Sequence, residues 1–409
     1  MKSKKLYLFA SVTAAVLALA VVYTLYTLWL SETERRSHIT VGFIYDGDGS
    51  TPYTENFMNA AKQLDVTYED KVTVIERFNV PYDGSVEVLD ELVSKGCDLI
   101  VTNSYGYGEY VKEFAGSHPD IQFCQATGDN ANSGSVVKNY HTFMGAIYQG
   151  RYLCGMAAGM KLRQMIDEGV ISGNEALVGY VAAYPYAEVI SGYTAFFLGV
   201  RSQCSSAVLK VKYANSWSSY AAEKRLAEQL INEGCVLISQ HSDTVGPAVA
   251  CENADKPYPV YHVGYNRDML EVAPMTSLTS CHIDWAPYIT AAVKAMLQDK
   301  EIEDVVKGSI HGLDAGGGIK EGWVKLLPLN EAICTKEMIS AISEAEEDMA
   351  SGNIHVFKGD YIGVDVDDPS KTYDLNREYI ENENASAPSF RYILRDVIVI
   401  EEDTDSGKK

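Results

Sequence analysis

The sequence is short of positive charge: 34 Lys and Arg stand against 56 Asp and Glu, a net charge of −22. Phosphate backbones are bound by a surplus of Lys and Arg, so this deficit excludes a nucleic-acid partner. Motifs of covalent and metal chemistry are missing too. No G-x-S-x-G presents a nucleophilic serine, and no H-E-x-x-H sets two histidines on one helical face. The cysteines, at 97, 124, 154, 204, 235, 251, 281 and 334, form no C-x-x-C pair, which removes the usual zinc and thioredoxin-like readings. Within apolar runs such as GCDLIV and GCVLIS they read as small buried hydrophobes. An oxidising exterior would also permit disulfides, whose pairing the spacing does not give. Low-complexity tracts are absent and 46% of the residues are hydrophobic, so the chain is neither disordered nor fibrous. Its 409 residues suffice for two lobes with separate cores.

Residues 6–30, LYLFASVTAAVLALAVVYTLYTLWL, carry no charge and are long enough to cross about 30 Å of hydrocarbon as a helix. Lys2, Lys4 and Lys5 precede them, which favours a cytoplasmic N-terminus and places the rest of the chain outside. A cleaved signal peptide is the alternative, but the stretch is longer than a typical apolar signal core and no Ala-x-Ala site clearly closes it. The expectation is a single N-terminal pass in the cell membrane, with residues 1–37 as anchor and linker.

From Thr40 onwards short β-rich runs alternate with helical ones: VGFIY, ENFMNAAKQL, VTVIERF, VEVLDELVSKG, DLIVTNS. That alternation predicts βαβ units and a parallel sheet covered by helices. The plan then returns. ELVSKGCDLIVTNS at 91–104 aligns without gaps with QLINEGCVLISQHS at 229–242, an offset of 138, and VGFIYDG at 41–47 aligns with VGYVAAY at 178–184, an offset of 137. Two matches at nearly one offset predict two lobes of similar topology.

In each copy the polar residues come at the strand's carboxyl end, where open parallel sheets bind ligands. Asn103, Ser104 and Tyr105 of one lobe and Gln240, His241, Ser242 and Asp243 of the other are therefore expected to face a shared cleft, with the loops at 46–54 and 184–188. His241, Ser242 and Asp243 are adjacent and cannot form a hydrolase triad, because neighbouring side chains on a strand point to opposite faces. Many of the 27 tyrosines fall at strand ends, among them Tyr45, Tyr53, Tyr105, Tyr107, Tyr184, Tyr186 and Tyr265. As a group they suit a flat, uncharged ligand. The Gly-rich stretch HGLDAGGGIKEGW at 311–323 lacks the G-K-[ST] of a phosphate loop and reads as a turn. The acidic runs AEEDM and IEEDTD read as solvated surface and tail.

Residues 40–360 resemble the basic membrane protein family of ABC-transporter substrate-binding proteins, purine or purine-nucleoside receptors of the type I periplasmic-binding fold. The resemblance is carried by GFIYDGDGSTPYT, GCDLIVTNSYGY, YQGRYLCGMAAGMK, GYVAAYPYAEVISGYTAFFLGVRS, NSWSSYAAEKRLAEQLINEGCVLISQHSDT, VGYNRDMLEVAPMTSLTS and DWAPY, in that order. It implies an α/β protein of two Rossmann-like lobes and a hinge: 38–146 with 284–330, and 147–283 with 331–409, the latter including the acidic tail. It places the family's acidic ligand contact on Asp46, the aromatic-polar pair on Tyr53 and Thr54, the second-lobe aromatic on Phe196 beside Tyr193, and a polar strand end on Asn266 and Asp268. QHSDT is similar to the branch that carries Q-H-x-D-S, with the accompanying segments at 264–269 and 285–288. Ser104, Tyr105, Tyr184, Glu188, Trp217, His241, Asp243, Tyr265 and Trp285 complete the expected ligand-binding set.

There are two departures from the family. Its nucleoside-binding branch resembles S-x-x-K after the hinge, whereas SCHI here ends in Ile283, which shifts the expectation towards a free base. The membrane anchor replaces the family's lipid-linked cysteine. The resemblance implies no catalytic residue, metal or cofactor, a monomeric ectodomain, and an ABC permease as partner. Two rivals keep the same residues: a sensor of this fold signalling to a membrane partner, and a nucleoside hydrolase, for which DGDG at 46–49 is too short an aspartate cluster.

Overall fold

The computed structural model describes residues 17–23, 35–401 and 403. The expected membrane span at 6–30 lies outside these residues except for 17–23, which are helical and exposed. Among the described residues no helix is long and apolar enough to cross a membrane.

Strands β1 (Ile39–Ile44), β2 (Val72–Arg77), β3 (Leu99–Thr102), β4 (Gln122–Ala126) and β5 (Tyr140–Gly145) are interleaved with helices α1 (Pro52–Tyr68), α2 (Ser85–Ser94) and α3 (Gly108–Gly116). After α4 (Ile147–Asp167) come β6 (Leu177–Ala182), α5 (Ala187–Gln203), β7 (Val208–Tyr213), α6 (Tyr220–Asn232), β8 (Leu237–His241), α7 (Gly246–Glu252) and β9 (Tyr261–Val263). Next are β10 (Cys281–Ile283), α8 (Ala286–Leu297), β11 (Ser309–His311), β12 (Asp314–Gly317), β13 (Val324–Leu326) and α9 (Lys336–Ala350). The chain closes with β14 (Ile362–Asp365), β15 (Thr372–Asp374), β16 (Tyr392–Leu394) and β17 (Ile398–Ile400).

These strands build a seven-stranded sheet, β11-β12-β5-β4-β3-β1-β2, and a five-stranded sheet, β17-β7-β6-β8-β9. We call the body around the first lobe 1 and that around the second lobe 2. Strands β3 and β8 bury every residue, as expected of apolar runs covered on both faces of a parallel sheet. The internal repeat is a repeat of register. Val41 pairs with Leu99 in the first sheet and Val178 with Leu237 in the second, so His241 is the structural counterpart of Asn103. In both sheets the strand order reverses at the first strand, β2-β1-β3 and β7-β6-β8, and that reversal opens a ligand crevice at the strands' carboxyl ends.

Helices α4 and α5 approach backbone to backbone. A Cβ on Gly155 would stand 1.8 Å from the Phe196 carbonyl oxygen, and one on Gly199 2.1 Å from that of Tyr152. The glycines in YQGRYLCGMAAGMK and FFLGV are thus packing residues. Three passages, at 145–147, 279–284 and 323–327, join the two sheets, and β10 pairs with β13 among them. All eight cysteines are buried with free thiols.

Two readings from sequence are corrected. The DAGG of the Gly-rich stretch is strand β12, fully buried in the first sheet, where Gly317 leaves room for Trp323 that a Cβ would close to 2.5 Å. The IEEDTD run is docked at two points: Glu401 reaches Lys210 at 2.9 Å and Asp403 reaches Arg225 at 2.6 Å. Lys212, buried on β7, needs carboxylates around it, and Glu233 at 2.9 Å and Glu401 supply them.

Candidate ligand-binding site

The lobe 1 wall starts at the two strand ends beside the reversal. Asp46 and Asn103 close a pair of hydrogen bonds, the Asp46 N–H donating to Asn103 Oδ1 and Asn103 Nδ2 to Asp46 Oδ1, each at 3.0 Å. Tyr53, in the first turn of α1, donates its hydroxyl to the Asn103 carbonyl. Its ring stands edge-on to Phe57 at 5.4 Å and to Trp285 at 6.2 Å, and Trp285 stacks on Phe57 at 4.5 Å. Burial raises the Tyr53 phenol well above its usual range, and the carboxylates of Asp46, Glu188 and Asp243 add to the shift. Carboxylates of both lobes thus lie within electrostatic reach of this one hydroxyl. Thr54 is buried and accepts from the Thr51 hydroxyl at 3.1 Å. Ser104 meets the Tyr82 hydroxyl at 2.9 Å, while Tyr105 is exposed at the rim, 3.4 Å from Asp129. A cavity of about 580 Å³ opens here, lined by Asp46, Val80, Pro81, Tyr82, Asp83 and Tyr110.

In lobe 2 the QHSDT turn divides by side-chain direction. Gln240 and Ser242, expected to face the cleft, turn inward instead. Gln240 Nε2 donates to the carbonyls of Ser242 and Thr244 at 2.8 and 2.7 Å. The buried Glu223 carboxylate accepts from the Ser242 hydroxyl at 2.8 Å and from the Thr244 N–H and hydroxyl at 3.0 and 2.7 Å. A carboxylate taken from water must gather donors, and this turn provides them.

Asp243 is held differently. Its N–H donates to the Trp217 carbonyl at 2.8 Å, and its carboxyl accepts from Asn266 Nδ2 at 2.9 Å. Burial pushes the carboxyl up to about 8, with Glu223, Glu188 and Asp46 acting in the same direction and Asn266 against it. In its protonated form the group offers both a donor and an acceptor. His241 is fully buried, and neither ring nitrogen has a hydrogen-bond partner; Glu188 Oε1 lies 3.5 Å from Nε2. Burial holds its imidazole below the usual value, with Glu188 opposing. Gly192 makes its seat, since a Cβ there would stand 2.5 Å from Nδ1, and the Tyr265 ring lies 4.3 Å away.

Phe196, Tyr193 and Asp268 sit apart from this cluster. Phe196 is entirely buried beneath the Arg151 guanidinium, 5.1 Å from its centroid, and Tyr193 is buried with its hydroxyl on Tyr213. Asp268 is exposed and accepts from the Leu270 N–H at 2.8 Å. Tyr184 and Trp217 pack ring to ring at 5.7 Å on the lobe 2 rim.

Sequence reasoning missed Tyr82, Glu223 and Arg151. Arg151 is fully buried and donates to the Gly264 carbonyl, the Tyr180 hydroxyl and Ser239 Oγ at 2.9, 2.8 and 2.7 Å. It thereby ties α4 to the floor behind Tyr265. A lone cation in the small-residue run GRYLCGMAAG was the available signal for it. Among the described residues no group of three or more His, Cys, Asp or Glu is placed to hold a metal.

Comparison with known proteins bears on the family and the fold. The family model described as ABC transporter substrate-binding protein, PnrA-like, matches residues 37–358. A purine-binding protein of Brucella abortus (strain 2308) is 30% identical over 324 residues, 78% of this chain and 83% of its own length. A putative ABC transporter glucose-binding protein of Haloferax volcanii is 27% identical over 300 residues, 73% of this chain and 69% of its own. Among solved structures, an ABC transporter solute-binding protein from Conexibacter woesei DSM 14684 superposes with TM-score 0.58 at 18% identity, covering 77% of this chain and 97% of that one. A transcriptional activator of the comK gene from Bacillus halodurans gives 0.60 at 19%, with coverage of 77% and 99%. These two share the fold.

Proposed function

The chain belongs to the PnrA-like family of ABC transporter substrate-binding proteins, and from that premise we propose that it closes two lobes over a purine base or purine nucleoside for a membrane permease. It is a solute-binding protein and not an enzyme. We take residues 38–146 with 284–330 as one lobe and 147–283 with 331–409 as the other, tethered outside the membrane by residues 6–30 as a monomer.

The observation that carries the purine reading is the placement of His241 and Asp243, two residues apart, at the carboxyl end of β8. Buried His241 Nε2 meets only Glu188, at 3.5 Å, and a buried polar group without a good partner is unfavourable by about 1–3 kcal/mol unless a ligand satisfies it. Neutral His241 offers a donor or an acceptor at Nε2, its Nδ1 being seated against Gly192, and a protonated Asp243 offers both. The edge of a purine, which alternates donors and acceptors, complements both. In this reading Tyr53 supplies the ring, and Asp46 and Asn266, the latter bonded to Asp243 at 2.9 Å, supply further polar groups. A relative named for purine binding supports the reading. Ile283 favours the base over the nucleoside: it is buried in the hinge against Gly145, where a Cβ would stand 2.7 Å away, and it carries no charge for a ribose. Phe196, buried beneath Arg151, contributes by shaping the floor.

The test is a thermal-shift panel on the full chain with adenine, guanine, hypoxanthine, their nucleosides and glucose, because a ligand that binds the folded state raises the melting temperature by mass action. Shifts with bases exceeding those with nucleosides are expected. A shift with glucose and none with any purine overturns the proposal.

A further inference from the structure

The family match stops at residue 358, and residues 359–401 are a built structure that touches both lobes. On lobe 2 it has three anchors. The Thr194 hydroxyl donates to the Tyr392 carbonyl at 3.0 Å, Arg201 Nε donates to the Tyr361 hydroxyl at 2.9 Å, and β17 lies parallel on β7 with Ile398 opposite Leu209. Its aromatic core stacks Phe390 on Phe357 at 4.1 Å, and Phe357 reaches Tyr148 in the first turn of α4 at 5.4 Å.

Between these anchors the chain crosses to the first sheet. Ser386 donates both its N–H and its hydroxyl to the Asp314 carboxylate, each at 2.6 Å, and the Thr142 hydroxyl completes the set at 2.7 Å. Asp314 belongs to β12, which pairs with β5 in the lobe 1 sheet. Asp314 and Ser386 are both buried. The loop that presents Ser386 is braced from within: Glu381 accepts from the N–H groups of Ser389 and Phe390 at 3.1 and 2.8 Å, and Asn382 Nδ2 donates to the Ser386 carbonyl at 2.8 Å. It is therefore a stiff projection from one lobe with its tip bound to the other.

We infer that residues 359–401 form a strap that latches lobe 2 to Asp314 of lobe 1 and restrains the angle between the lobes. The three covalent passages permit hinge bending; the strap adds a fourth link that must hold, yield or break as they bend. A rotation that withdraws Ser386 leaves a buried carboxylate with one donor in place of three, which opposes the motion. Apparent affinity scales with the fraction of molecules in the binding-competent arrangement, so a latch remote from the cleft sets affinity without touching ligand. This consequence for affinity rests on the reading that the lobes close over a solute.

The experiment measures inter-lobe distances by pulsed electron resonance on the full chain, with spin labels at Val66→Cys in lobe 1 and Ser205→Cys in lobe 2, both exposed positions. Without ligand, Asp314→Asn broadens the distance distribution, and Ser386→Ala, which removes one donor, broadens it less. With the purine that gives the largest thermal shift, affinity falls about three- to tenfold in Asp314→Asn. Wild-type distributions in both variants overturn the inference, even if their melting temperatures drop. A wild type that binds no purine defeats the purine reading alone, because the ligand-free distances still report on the strap.

Discussion

The Asn266 amide donates to the Asp243 carboxyl over 2.9 Å, and it does so from a left-handed backbone at φ 64°. Asn tolerates that conformation better than most residues, so the Y-N-R segment after β9 can turn its amide back onto the strand end of β8. The bond opposes the effect of burial on Asp243 without cancelling it, since the carboxyl remains at about 8.

The consequence is a pH-dependent stability with two opposed limbs. Asp243 has a folded value above its ordinary 3.8, so folding takes up a proton and stability falls as pH rises from 3.8 to about 8. His262 is held at about 3 by burial, against an ordinary 6.5, so stability falls as pH drops from 6.5 towards 3. Below 6.5 these two slopes oppose one another; above it the Asp243 limb is no longer offset by His262. Melting temperature is expected to decline between pH 6.5 and 8.5 in the wild type. Asp243→Asn keeps an acceptor for Asn266 and should flatten that decline while raising stability at pH 8. Parallel declines in both proteins would show that Asp243 is already ionised.

Much of the fold was legible because strand pairing leaves its register in the sequence. The offsets of 137 and 138 are those by which Val41–Leu99 becomes Val178–Leu237. Side-chain direction at the strand end was half legible. Alternation separates His241 and Asp243 from Gln240 and Ser242, but which pair turns inward depends on Glu223, which arrives from another helix. Phe196 was placed by resemblance, and nothing local shows that Arg151, from α4, covers it. The acidic tail read as solvated because a buried Lys212 has no sequence signature. Strand β12 read as a turn because a glycine required by a neighbour's bulk looks the same as one required by a reversal of the chain.

Helix packing yields a second expectation. A methyl group at Gly155 meets the Phe196 carbonyl oxygen at 1.8 Å, a backbone atom that no rotamer change can move. Overpacking of this kind typically destabilises by about 1–3 kcal/mol, and Gly155→Ala should reach the upper part of that range in urea unfolding. Gly173→Ala, whose nearest neighbour would be 3.5 Å away, serves as the comparison and should be close to neutral. Equal midpoints for the two variants would mean that α4 and α5 are not in backbone contact.

The turn that carries the proposed recognition residues should depend on Glu223. Its carboxylate accepts from Ser219, Ser242 and Thr244, and Glu223→Gln replaces one acceptor oxygen with a donor. Losing one buried acceptor that served charge-assisted bonds is expected to lower stability by about 1–3 kcal/mol. Purine affinity should fall with it, because the turn also positions Asp243. A variant with wild-type affinity and melting temperature would show that Glu223 plays no part in holding the site.

Tyr53 separates ring from hydroxyl. Tyr53→Phe deletes the donor to the Asn103 carbonyl and keeps the aromatic face against Phe57 and Trp285. The lost bond lowers stability by about 0.5–1.5 kcal/mol, and ligand affinity should change little if the ring alone meets the base. Tyr53→Ala removes both, leaving Trp285 uncovered, and should abolish the purine-induced thermal shift while circular dichroism still reports an α/β fold. The pair of variants decides how the ligand is held. If Phe loses affinity as severely as Ala, the hydroxyl itself contacts the ligand, and the bond to Asn103 belongs to the ligand-free state.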